Sequence, residues 1–146
     1  MKTTSVAALK RGVLLYWSLW HTVVFATQSL AGLQDLGLVG KGDLPLLNSS
    51  RVAFGRAAGV GGVWRAGFIA WEGVAAITFW IALRRFRDTK LSRLRTSAAA
   101  FSLGLGLYGV LAILDRTVAG PSYETNHLLI LIGLLASFLV VLFLPE

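Results

Sequence analysis

No cysteine occurs in the 146 residues. Disulfides, thiolate nucleophiles, iron–sulfur ligation and cysteine-bound zinc are therefore excluded, and the redox compartment stays open. Charge is scarce as well, at 14% of residues, and it falls between long apolar runs instead of alternating within them. With 55% hydrophobic residues and a mean hydropathy of +0.70, the chain lacks the polar surface that would cover a water-soluble globule. No soluble domain, low-complexity tract or internal repeat is visible. The composition instead predicts a single transmembrane domain, residues 1–146, with the bilayer as its solvent.

Four apolar runs are present: about Gly12 to Leu33, Gly61 to Leu83, Ser97 to Leu114 and Leu128 to Leu144. Each approaches the roughly 17–25 residues that a helix needs to cross hydrocarbon. They are continuous and rich in Leu, Ala and Val, which favours helix over the short alternating pattern of a membrane strand, and four strands cannot close a barrel. The expected fold is all-α, a polytopic four-transmembrane-helix bundle. A long outer loop, about Gln34 to Val60, carries turn residues Gly37, Gly40, Gly42 and Pro45. Within it Asn48 or Ser49 is placed to cap a short helix running toward Arg56.

Orientation follows from Lys and Arg. Nine of them (Lys2, Lys10, Arg11, Arg84, Arg85, Arg87, Lys90, Arg93, Arg95) precede the first run or fill the second connection, against four (Lys41, Arg51, Arg56, Arg116) on the opposite side. The richer side is cytoplasmic by the positive-inside rule, which places both termini there, in an integral, multi-pass protein of a cell membrane. The net charge of +7 is thereby assigned to head groups and topology, and nucleic acid is not an expected partner. The tight 84–96 connection predicts an antiparallel hairpin of the second and third helices.

Two weaker patterns read differently. Residues 1–31 resemble a secretory signal ending near Ser29-Leu30-Ala31, but the apolar region is long and carries Tyr16, Trp17, Trp20 and His21. Asn48-Ser49-Ser50 fits a glycosylation sequon, a match so short that chance accounts for it.

An ionisable group at membrane depth costs roughly 2.5–3.5 kcal/mol on insertion scales, so each is a candidate functional residue. His21 and Glu72 lie near the centres of antiparallel runs, at heights where they can meet. Trp17, His21, Val24 and Gln28 share one helix face, and Arg65 and Glu72 another, with Trp64 and Trp71 beside them. The two stripes predict a polar seam, with His21, Gln28, Arg65, Trp71 and Glu72 as ligand-binding residues. The bland alternative is interhelical glue. Trp64 and Trp80 read as interface anchors, while central Trp71 requires a buried partner or a pocket. Gly62, Ala66 and Ala70, then Ala98, Ser102 and Gly106, then Gly133 and Ser137, repeat at four-residue spacing and suit close helix contact.

Asp115, Glu124 and His127 gather near the outer surface, but these side chains belong in any wet interfacial turn, and no metal is expected. A haem held by His21 and His127 is disfavoured, because the two differ in depth by about half the hydrocarbon thickness at about 1.5 Å per residue.

The sequence Trp64-Arg65-Ala66-Gly67-Phe68-Ile69-Ala70-Trp71-Glu72, the Arg84-Arg85 exit and the Tyr123–His127 entry to the fourth run resemble the DUF2165 family of small integral membrane proteins. The resemblance covers most of the length, is mainly topological, and implies no catalytic residue, since that family has no established reaction. In size and span count the chain also looks like the DoxX group and the membrane-bound glutathione transferases. It lacks the Arg, Asn and Glu pattern of the latter's second helix.

Three functions follow in order of expectation. The first is a non-catalytic subunit or scaffold of a membrane complex, packed against lipids and against other membrane protein subunits or copies of itself. The alternative is a small-molecule, quinone or proton site in the polar seam, serving transport or redox chemistry, with lipid as a further candidate ligand. The third is an enzyme acting at the outer interface through Asp115, Glu124 and His127.

Overall fold

The computed structural model describes residues 2–40, 62–114, 116–117 and 121–144. Among them the structure is all-helical. Helix α1 spans Lys2–Asp35, α2 Gly62–Arg84, α3 Lys90–Leu114 and α4 Pro121–Phe143. The expected loop helix after Asn48 and the sequon lie outside the described residues, as do Asp115 and the side chains of Trp64, Tyr123 and Glu124.

Helix α1 stops where Gly37 takes φ +72, a conformation glycine adopts without steric cost. Leu38 N–H donates to Leu33 O at 2.9 Å and Gly37 N–H to Gln34 O at 3.0 Å, which satisfies carbonyls that the helix end would otherwise leave unpaired. Buried Gln34 adds a bond from its Nε2 to Gly40 O at 3.1 Å.

The expected hairpin is present. A single 3₁₀ turn, Arg85–Arg87, follows α2, and Thr89 caps α3, its Oγ1 accepting from Ser92 N–H at 3.3 Å. Phe86 is buried in this turn beneath the Arg93 guanidinium, 5.1 Å from the ring centre. Because Thr89 provides the cap, α3 starts at Lys90, a full two turns before the apolar run at Ser97. Helix length here is set by capping, whereas the apolar run marks only the stretch suited to hydrocarbon.

Neighbours in sequence are neighbours in space. Helix α1 packs on α2, α2 on α3 and α3 on α4, while α1 and α4 touch sparingly. Pairings run in opposite directions at each step: Phe25 meets Gly73 and Gly32 meets Ile69; Phe79 meets Phe101 and Phe101 meets Phe138. The core runs through Leu14, Trp17, Phe79, Phe101, Leu107 and Leu134.

The outside is apolar. Ile77, Ile113, Leu129 and Ile132 are each at least 60% exposed, an arrangement that lipid solvates and water does not. Arg65–Arg87, Lys90–Leu114 and Asn126–Phe143 are long and apolar enough to cross a membrane. Helix α1 is longer but less apolar, since Ser18, His21, Thr22, Thr27, Gln28 and Ser29 interrupt it.

Candidate functional site

A helix face repeats every three to four residues, so the α1 positions 17, 21, 24 and 28 turn inward together. Trp17 and His21 are buried. From α2, Glu72 comes in at the same height, and a hydrogen bond links His21 Nδ1 with Glu72 Oε1 at 2.8 Å. Both side chains are almost wholly out of contact with the surroundings, at 0% and 3% exposure.

Aromatic rings enclose the pair. The imidazole stacks on Phe79, centroids 5.0 Å apart and planes 17° from parallel, and is flanked by Tyr108 at 6.0 Å and Trp17 at 6.1 Å. On its other side is Gly104 of α3. A Cβ there would lie 3.3 Å from His21 Nε2, so the missing side chain is what lets the ring in. His21 Nε2 has no hydrogen-bond partner.

Beyond Glu72 lies a cavity of about 150 Å³ to which all four helices contribute. Its polar wall consists of Gln28, Glu72, Tyr108 and His127. Trp20 and Phe68 add aromatic faces, and Val24, Leu107, Leu111 and Ile130 complete the surface. Trp20 Nε1 donates to the Tyr108 hydroxyl at 2.9 Å, and Tyr108 and Glu72 border the same cavity. Gln28 Oε1 is buried and accepts no hydrogen bond.

Comparison of the chain with family models, curated proteins and solved structures gives no match. The resemblance to DUF2165 therefore stands on the residues that suggested it.

Of the five residues expected in the seam, the structure joins His21 to Glu72 and places Gln28 in the cavity wall with Glu72. Trp71 departs from expectation. Its Nε1 donates to Leu103 O at 3.2 Å and its ring packs over Gly106, so it binds α2 to α3 on a different face. Adjacent helix positions point about 100° apart, and here the indole of Trp71 turns to α3 while Glu72 borders the cavity. Half-buried Arg65 lies two turns along α2 from Glu72, outside the cavity wall. Trp80, expected as an interface anchor, donates to Thr22 Oγ1 at 3.0 Å.

Tyr108 escaped the sequence reading, although a tyrosine in an apolar run is a usable signal, because its hydroxyl needs a partner once buried. His127, expected in an outer-surface cluster, turns inward. Its ring centre is 5.9 Å from that of Tyr108. Among the described residues no three His, Asp or Glu side chains gather as a metal site.

Proposed function

We propose that all four helices cross the membrane, with both termini and the 84–96 connection cytoplasmic, and that the central cavity binds a molecule about the size of one six-membered ring. The observation that carries this reading is a buried His21–Glu72 pair bordering a polar-walled cavity of about 150 Å³. An apolar cavity of that size accommodates benzene.

Energetics favour a binding site over interhelical glue. Left unfilled, such a gap forgoes packing contacts that side chains could make. Each buried polar atom without a partner costs about 1–3 kcal/mol more. An interhelical polar contact in a membrane returns only about 0.6–2 kcal/mol. A sequence selected for adhesion alone would close the gap with larger aliphatic side chains.

The test uses the purified protein in mild detergent, titrated with phenol and benzoquinone and followed by tryptophan fluorescence and thermal unfolding. Saturable stabilisation is expected, about 2.7 kcal/mol at a hundredfold excess over Kd, together with its loss in Val24→Phe, which fills the cavity. Unsaturable responses, or equal responses in that variant, reject the site. Reporter tags on both termini test the topology, and a tag on the non-cytoplasmic side rejects it.

A subunit role has one observation in its favour. Ala66, Gly67 and Ala70 of α2 face outward, with open space above Gly67, where a further helix can approach closely. Recovery of a defined oligomer or stoichiometric partner whose binding is lost in Gly67→Leu would establish it.

A further inference from the structure

We infer that the cavity takes a small organic monocation, such as a short-chain ammonium, and that its entry releases one proton from the His21–Glu72 pair; this rests on the cavity being a ligand site.

The wall presents acceptors and ring faces. Glu72 has one carboxylate oxygen engaged by His21 Nδ1 and still borders the cavity. Gln28 Oε1 is buried without a donor. Trp20, Phe68 and Tyr108 border the same space, and an aromatic ring attracts a cation that has shed its water and lies over its face. Acceptors, rings and a volume of about 150 Å³ together suit a compact cation better than a neutral ring, which brings no positive charge to Glu72.

Charge balance supplies the proton. A net charge held in a low-dielectric interior is costly, so without ligand the pair retains one proton, on imidazole or carboxyl, and is neutral overall. When a cation sits against Glu72, neutrality is restored by the pair giving that proton to bulk water. One positive charge enters and one leaves.

Other titratable groups face Glu72 from the surrounding helices. His21 comes from α1, Tyr108 from α3 and His127 from α4. Arg65, on Glu72's own helix, lies about 10 Å along the axis at about 1.5 Å per residue and is engaged in its own interaction. His127, when protonated, opposes a cation just as the extra proton on the pair does. Both effects have one sign: affinity rises with pH.

The experiment compares tetramethylammonium with tert-butanol, its uncharged near-isostere, on the whole protein in detergent. Tetramethylammonium is expected to bind at least tenfold tighter. Its affinity should rise with pH by up to about tenfold per pH unit, the limit for one proton exchanged per ligand. Calorimetry in two buffers of different ionisation enthalpy counts the protons released. One per cation supports the inference; none overturns the exchange.

Glu72→Gln should reduce tetramethylammonium binding to the tert-butanol level. A pH slope that survives His127→Gln assigns the proton to the pair, whereas a slope that vanishes overturns that assignment. Preference for tert-butanol or phenol in the unmodified protein overturns the cation but leaves the ligand site standing. If neither charged nor neutral probes bind, both readings fall.

Discussion

At Gly104 the absence of a side chain and the presence of the imidazole are one fact. A methyl group there would lie 3.3 Å from both His21 Nε2 and Leu134 Cδ2. The ring is held by its 2.8 Å bond to Glu72 and by its stacking on Phe79. Gly104→Ala is therefore expected to destabilise the protein by about 1–3 kcal/mol, the usual cost of overpacking, as measured by denaturant unfolding in micelles. Unchanged stability would mean that the imidazole sits loosely. His21 and Glu72 were legible in the sequence because ionisable groups are rare in apolar runs and expensive there. The places of His127 and Trp20 were not, since a histidine at a span end and one tryptophan among five are each ordinary, and Tyr108 signalled only a need for some partner. Only the rotation of each helix about its axis decides which of them meet.

The α2–α3 hairpin shows the same division at the level of elements. Its existence was readable from two apolar runs joined by a short basic connection, but not the start of α3, which Thr89 fixes from outside the apolar stretch. Nor was the direction of Trp71 readable. Indole and carboxyl are adjacent in sequence, and helical geometry assigns one to α3 and the other to the cavity. Trp71→Phe removes the bond to Leu103 O while keeping an aromatic ring over Gly106. A loss of about 0.5–1.5 kcal/mol is expected, with ligand affinity changed less than twofold. A large affinity change would place Trp71 in the site after all.

For the whole molecule, composition alone conveys that the exterior is apolar. It does not convey that the first helix, the least apolar of the four, turns His21 inward to meet Glu72 of α2. Arrangement of the bundle has a further measurable effect at Gly133 of α4. A Cβ at that position would lie 3.7 Å from the Trp17 ring, an ordinary contact. Gly133→Ala is thus expected to stabilise by up to about 1 kcal/mol, through helix propensity alone, and a decrease in melting temperature would contradict the packing described.

The scant contact between α1 and α4 carries a consequence for traffic. Residues from both helices, Trp20 and Gln28 on one side and His127 and Ile130 on the other, border the cavity. The seam between the first and last helix is thus bridged by few contacts where it borders the cavity. A molecule entering the cavity sideways would meet the sparsest helix packing there.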